Sequence, residues 1–369
     1  MKKVLFLIHD LGPGGAEKVL VNLVNNMDPN QFDITVMALF GGGVNEQFLK
    51  PHIRLATCFK YMIRGNSHLM KLLSPQQLHK WLIKERYDIE VSYLEGPSAR
   101  VISGCPNRGT KLVSWVHCTM KSAKEMAIGF RSISEARRSF AKMDNLVFVS
   151  KTNCEAFLKV CTSAHTVTVL YNTNDSDKII SLAAEEAVLP GDGFRWCGVG
   201  KMATVKGFDR MIRIQQRLTS DGYKAHLYIL GEGPLRSELV KLAVACGVAD
   251  SVTFLGYQTN PYKYVAKCDL FVCASHSEGF STAATEALIV GTPVCTVEVS
   301  GMKEMLGENN EWGIVTENDE DALYQGIKRL LDTPAELAHY KEKATLRGKN
   351  FSTENTVRAV EEMLQGVAK

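Results

Sequence analysis

The sequence predicts an α/β protein of two domains, each built on a doubly wound parallel sheet. Three observations predict it. The chain of 369 residues is longer than one typical core, and its 45% hydrophobic and 22% charged content is that of a globular protein. Short apolar runs alternate with segments of helical periodicity. One polar, acidic stretch, "TNDSDKIISLAAEEAVLPGDG", interrupts that alternation and puts the domain boundary near residues 176–190.

In the first half the strand candidates are "VLFLI" (4–8), "DITVMAL" (33–39), "IEVSYL" (89–94), "KLVSWVH" (111–117), "NLVFVS" (145–150) and "VTVLYN" (167–172). Several are almost wholly apolar, as parallel strands covered on both faces are. Between the first two, Leu20, Leu23, Val24 and Met27 recur at helical spacing, which makes a β-α-β unit. The second half repeats the pattern with "FRWCGVG" (194–200), "KAHLYILG" (224–231), "SVTFLG" (251–256), "LFVCAS" (270–275) and "PVCTVE" (293–298), separated by helical segments such as "GFDRMIRIQQRL". Ligands of such sheets bind beyond the C-terminal strand ends, and two such domains facing one another form a cleft.

The ten cysteines are scattered without a C-x-x-C pair, and Cys197, Cys273 and Cys295 lie in apolar runs, which suits buried thiols in a reducing compartment. The opening "MKKVLFLIHD" has too short an apolar run for a signal peptide and reads as a strand. No apolar segment approaches membrane-spanning length, so a cytoplasmic protein is expected. The net charge of +3 conceals an asymmetry. Residues 1–175 carry 22 Lys and Arg against 14 Asp and Glu, and residues 176–369 carry 21 against 26. A basic first half suits an acidic partner, or is an ordinary solvated surface.

Four motifs carry chemistry. "LGPGGAEK" (11–18) follows the first strand, and its glycines let backbone approach a ligand at a helix N-terminus. No acid ends the second strand to hold a ribose, which disfavours a nicotinamide cofactor and leaves a plain βα turn as the rival reading. In "GVGKMATVKGFDRMI" (198–212), Lys201 and Lys206 stand beside a helix start, where ammonium groups suit a diphosphate. The alternative is a solvated lysine pair. "LYILGEGPLRSEL" (227–239) places Gly231 in a tight βα turn that lines a nucleotide pocket or is purely structural. "SEGFSTAATEALIVGTPV" (277–294) places Glu278 and Gly279 in a loop and starts a helix at Ser281 or Thr282. The amides of Phe280, Ser281 and Thr282 then lack helical partners. Glu286 falls roughly 6–7 Å further along the helix axis, where a carboxylate can accept two vicinal ribose hydroxyls. A metal site is not expected, because no His or Asp cluster accompanies the two acids. A glycosidase reading would leave the lysines and glycine turns unused.

The pattern E-G-F-S-x-x-x-x-E, with "VGKMATVKGFD" upstream and "GGAE" after the first strand, resembles retaining glycosyltransferases of the GT-B fold, family GT4. The resemblance extends to "LGEGP", "VTFLG", "CDLFVCAS" and the closing "FSTENTVRAVEEML". It implies two Rossmann-like domains, an acceptor-side domain over 1–176 and a nucleotide-sugar domain over 177–350. Residues 351–369 form a helix returning to the first domain. It implies that Lys201 and Lys206 neutralise the donor diphosphate, Glu286 holds the ribose and Glu278 contacts the transferred sugar. Gly279 and the amides of Phe280 to Thr282 help hold sugar or phosphate. Gly14 and Gly15 approach the diphosphate or acceptor, His117 lies near the sugar, and Tyr257 stacks near the base. It implies that Glu278, His117 and Lys206 are the catalytic groups. The implied activity is transfer of a hexose or N-acetylhexosamine from a nucleotide sugar, UDP-linked, to a glycan or lipid-linked saccharide in cell-surface polysaccharide synthesis. No cofactor, metal or nucleic acid is implied. The alternative is a non-catalytic nucleotide-sugar-binding protein of the same fold. Two departures stand out: Lys201 replaces the usual Arg, losing a bidentate fork, and Ser281-Thr282 replace a commoner Gly-Leu-like pair. The segment 121–142, with Lys124, Arg131, Arg138 and Lys142 beside Met126, Ile128, Phe130 and Phe140, is a candidate for peripheral contact with an anionic membrane face, or is a surface helix that contacts acceptor phosphates or nothing.

Overall fold

The computed structural model describes residues 1–61, 70–161 and 166–368. The chain divides into two compact units. Unit 1 comprises Met1–Thr173 together with the closing helix Thr353–Val367, and unit 2 comprises Asn174–Ser352.

Unit 1 holds a seven-stranded sheet of β1 (Lys2–Ile8), β2 (Phe32–Phe40), β3 (Arg54–Phe59), β4 (Ile89–Ser92), β5 (Lys111–Val116), β6 (Asn145–Phe148) and β7 (Thr166–Val169). The order is β3-β2-β1-β4-β5-β6-β7, every pair parallel. The chain winds outward from β1 to β3, then returns to lay β4 against the other side of β1. The strand order therefore reverses between β1 and β4. Val4 to Ile8 are fully buried, which is why this stretch is uniformly apolar rather than alternating. Each such side chain contributes roughly 1.5–3 kcal/mol relative to exposure.

Unit 2 repeats the plan with six parallel strands: β8 (Phe194–Val199), β9 (Ala225–Leu230), β10 (Val252–Gly256), β11 (Leu270–Cys273), β12 (Val294–Val297) and β13 (Ile314–Thr316), ordered β10-β9-β8-β11-β12-β13. Here the reversal lies between β8 and β11. The helix Phe208–Ser220 buries Phe208, Met211, Ile212, Ile214 and Leu218 at helical spacing against this sheet. Trp196 is fully buried and donates its indole N–H to Gln215 Oε1 at 2.8 Å, so the one polar atom of that side chain is satisfied.

The closing helix buries Val357, Val360 and Leu364 and packs on the helix Gly15–Asn26. Its Glu361 carboxylate accepts the Asp28 amide at 2.6 Å.

Two strands have no counterpart among the sequence-based candidates. β3 and β13 are both edge strands. β3 is half-exposed and mixed in composition, and β13 has three residues, so neither gives an apolar run. The segment 121–142 also departs from expectation. Met126, Phe130 and Phe140 are buried in the unit 1 core, leaving Ile128 as the exposed apolar residue of the four. Its apolar face is turned to protein, and Arg131 donates to the carbonyls of Lys71 and Leu72. Lys124, Arg138 and Lys142 remain exposed. Among the described residues no helix is long and apolar enough to cross a membrane.

A buried polar trio lies in unit 1. His79 Nε2 is 2.8 Å from Glu90 Oε2, and Cys105 Sγ is 3.6 Å from Glu90 Oε1. Burial alone would lower the His79 pKa, but bonds to Cys105 and Glu90 outweigh it and raise the imidazole to about 9. The raised pKa keeps the His79 ring protonated at neutral pH, beside Glu90.

Candidate active site

The chemistry-bearing residues of unit 2 gather at the C-terminal ends of β8 and β11, where the strand order reverses. Beyond β8 the chain passes Lys201, forms a single turn over Thr204–Lys206, and enters the helix Phe208–Ser220 through Gly207. Gly207 has φ +64°, and a side chain there would overlap the Ala274 carbonyl at the end of β11. The glycine thus lets the Lys206 turn press against the β11 loop. The His276 amide donates to the Val205 carbonyl at 2.8 Å and stitches the same two loops together. A second close approach joins β8 to β9: Gly231, at φ +134°, backs onto the Gly200 carbonyl.

This stitching brings Lys206 and Glu278 together. Lys206 Nζ lies 2.6 Å from Glu278 Oε1, and Ser275 Oγ donates to the same oxygen at 2.6 Å. The buried Cys273 thiol lies 3.9 Å from that oxygen, and burial, then Glu278, push its pKa up, so it stays a neutral thiol. A small cavity is lined by Lys206, Cys273, Ser275, Glu278 and Ser281.

The helix Thr282–Ile289 begins beside this cavity. Ser281 is its N-cap and accepts the Ala284 amide at 3.3 Å. The first helical bond runs from Thr285 to Ser281. The cap therefore moves the donor set one residue on from the expected Phe280 to Thr282, to Ser281, Thr282 and Ala283. Phe280 is buried against Phe351, with ring centroids 6.0 Å apart, and Gly279 remains half-exposed in the loop. Glu286 lies one turn inside the helix, buried, and accepts the Tyr262 hydroxyl at 3.1 Å. Glu286 is thus held from behind by a tyrosine.

Not every expected residue joins this group. Lys201 is exposed just past β8, and Tyr257 is 71% exposed beyond β10, and neither lines the cavity. Ser275, Cys273 and Tyr262 join it without having been expected. Ser275 ends a predicted strand and so was legible as a strand end, whereas nothing in "NPYKYV" signals that Tyr262 meets Glu286.

The remaining candidates belong to unit 1. Gly14 caps the helix Gly15–Asn26 with no side-chain bond, and the Glu17 carboxylate lies over it, where a Cβ at Gly14 would overlap. His117 follows β5 and packs its ring 4.9 Å from that of Tyr93. Burial lowers its pKa to about 4, against the opposing effects of Glu95 and the Tyr93 carbonyl, so the ring is neutral.

Two parallel doubly wound units, each with its glycine-opened turns at the strand-order reversal, define a GT-B architecture. A family model described as Glycosyltransferase Family 4 matches residues 13–178, and one described as Glycosyl transferases group 1 matches residues 184–347. The chain is 31% identical over 359 residues to the N-acetylgalactosamine-N,N'-diacetylbacillosaminyl-diphospho-undecaprenol 4-alpha-N-acetylgalactosaminyltransferase of Campylobacter jejuni, covering 95% of this chain and 96% of that protein. Among solved structures, Anabaena HepE in complex with UDP matches with TM-score 0.77 at 18% identity, covering 99% of this chain and 100% of that one. The sucrose-phosphate synthase of Thermosynechococcus elongatus matches with TM-score 0.78 at 16% identity, covering 100% and 99%. The chain belongs to the glycosyltransferases of family 4, with the GT-B fold.

Proposed function

We propose that this glycosyltransferase moves a hexose or N-acetylhexosamine from a UDP-sugar to a lipid-linked saccharide or glycan, with retention at the anomeric carbon and without a metal ion. The observation that carries the reading is the Lys206–Glu278 pair beside the helix start at Ser281, with Glu286 one turn further along. Breaking the anomeric C–O bond puts negative charge on the departing diphosphate. Lys206 and the amides of Ser281 to Ala283 are fixed positive groups for that charge, and Lys201, exposed just past β8, adds a further positive charge from outside the cavity. Glu286 takes the ribose hydroxyls, and Glu278 meets the sugar. The Campylobacter relative acts on a diphospho-undecaprenol saccharide, and HepE was captured with UDP, which supports the acceptor and donor classes. Retention follows if the acceptor attacks from the leaving-group face and the departing phosphate takes its proton, so no protein nucleophile is assigned. The exposed cations of unit 1 suit a peripheral approach to an anionic bilayer bearing the acceptor, a reading that liposome flotation tests.

A donor panel scored by hydrolysis and thermal shift, followed by lipid-linked saccharide acceptors, tests the proposal. A UDP-sugar is expected to be consumed, to give a product of unchanged anomeric configuration by NMR, and to turn over at the same rate in EDTA. UDP binding with no turnover of any donor would instead identify a non-catalytic binding protein.

A further inference from the structure

We propose that His79, Glu90 and Cys105 form a zinc site in the body of unit 1, with water as the fourth ligand. The site is independent of the proposed transfer reaction. Among the described residues, these three are the one group of His, Cys, Asp or Glu side chains whose ligating atoms converge, all within 4.8 Å of one another. Three separate elements deliver them. His79 lies in the helix Pro75–Leu82, Glu90 in β4, and Cys105 just beyond the helix Pro97–Ile102. Gly104 makes their approach possible. A Cβ there would overlap the Pro75 carbonyl, so glycine lets the Cys105 turn press against the start of the His79 helix. The Cys105 amide donates to the Ile102 carbonyl at 3.0 Å and fixes that turn.

The Glu90 carboxylate is what calls for an ion. It is fully buried in a strand flanked by β1 and β5, with Leu5 and Leu112 as its register partners. A carboxylate in such a place is costly unless both oxygens are well engaged. Oε2 meets His79 Nε2 at 2.8 Å. Among the described residues, the donor to Oε1 is the Cys105 thiol, a weak one, at 3.6 Å. Imidazole, carboxylate and thiolate together are a ligand set that zinc takes, whereas magnesium and calcium require oxygen. The spacing is also close to what zinc needs. Donor atoms around one tetrahedral zinc lie roughly 3.3–3.7 Å apart, which the Cys105–Glu90 gap already meets and the His79–Glu90 gap meets on opening by roughly 0.5 Å. A neutral imidazole, a carboxylate and a thiolate bring the dication to zero net charge, as a buried ion requires. In the metal-free chain two protons stand in its place, one on His79 Nε2 and one on Cys105 Sγ, and both leave to solvent as zinc binds. A chelator keeps the chain in that protonated state. Cys105 is half-buried, which gives the ion a way in. Zinc there ties both helices to β4, so its effect is on the stability of unit 1.

The test is calorimetric titration with zinc of the full chain, stripped with chelator and kept reduced. One zinc per chain is expected, with a dissociation constant below about 1 μM and a higher melting temperature in excess zinc. Cobalt in place of zinc is expected to show a sulfur-to-cobalt charge-transfer band and the intense visible bands of a tetrahedral site. Cys105→Ser should remove the charge-transfer band and weaken zinc by more than the roughly 10–100-fold that losing an outer-shell partner costs. Cys118→Ser, at the exposed thiol, should change neither. Weaker binding by the wild type, zinc affinity retained in Cys105→Ser, or cobalt without the charge-transfer band would overturn the site. Circular dichroism and melting check the fold of each variant. Should Cys105→Ser not fold, Glu90→Gln keeps the shape of the third ligand while removing its charge. Its zinc affinity is expected to fall as far, and wild-type affinity there would equally overturn the site. None of these readouts uses a donor or an acceptor, so failure of the enzymatic reading leaves them intact.

Discussion

Lys206 Nζ and Ser275 Oγ both reach the same oxygen of Glu278, each from 2.6 Å. The ammonium is therefore engaged by a carboxylate before any donor arrives. On the proposed function, a donor diphosphate and Glu278 compete for it. Glu278→Gln removes the competitor's charge while keeping its oxygen, and is expected to tighten UDP by roughly three- to tenfold, about 1 kcal/mol, while turnover falls. Lys206→Ala should weaken UDP by about tenfold or more, because it deletes a charge-assisted phosphate contact. Calorimetry reads both. UDP affinity that is unchanged or lower in Glu278→Gln would show that the pair does not compete with the ligand.

If Glu286 holds the ribose as proposed, its bond from Tyr262 gives a test that separates nucleoside from phosphate. Glu286→Ala should weaken UDP more than pyrophosphate, since the carboxylate addresses the ribose. Tyr262→Phe keeps the ring but removes the hydroxyl that holds Glu286, and should cost about 1 kcal/mol in UDP binding and nothing measurable in pyrophosphate binding. Equal losses for the two ligands in either variant would remove the ribose assignment.

How much of this was legible follows a physical line. Strands covered on both faces, such as β1 and β9, announced themselves as apolar runs. β3 and β13, at the sheet edges, did not, because an edge strand is neither long nor uniformly buried. Glu278, Lys206 and Glu286 were legible because charge in an apolar context asks for a reason. Tyr262 and Ser275 were not, since neutral hydroxyls are unremarkable in sequence and acquire meaning only from the carboxylate they face. The apolar residues of 121–142 show the converse. Basic and apolar side chains alternate there as on a membrane-seeking helix, yet Met126, Phe130 and Phe140 serve the core.

Two histidines of unit 1 give opposite pH dependences. His79 has its pKa raised from 6.5 to about 9, so its stabilisation is complete below 6.5 and is lost as pH rises through 9. His117 has its pKa lowered from 6.5 to about 4. It is buried neutral, so stability is retained above 6.5 and declines as pH falls toward 4. In thermal melts, the deficit of His79→Gln relative to wild type should shrink between pH 6.5 and 9. His117→Gln should gain on wild type between pH 6.5 and 4. Parallel curves for a variant and wild type across its window would refute the assigned ionisation state.

Gly207 and Gly222 form a controlled pair, because both have positive φ but different surroundings. Gly207, at φ +64°, backs onto the Ala274 carbonyl, whereas Gly222, at φ +87°, has nothing within 4 Å of where a Cβ would stand. Alanine at Gly222 meets only the left-handed backbone penalty, roughly 1–2 kcal/mol, and should lower the melting temperature by about 2–4 °C per kcal/mol with UDP affinity intact. Alanine at Gly207 carries the same penalty and must also push the Lys206 turn away from β11. It should therefore destabilise unit 2 further and weaken UDP by about tenfold. The two readouts are separable: calorimetry at a temperature where both variants are folded reports the site, and melting reports the backbone. If Gly207→Ala melts lower than Gly222→Ala but binds UDP as wild type does, then the close approach at Ala274 holds the fold together without positioning Lys206.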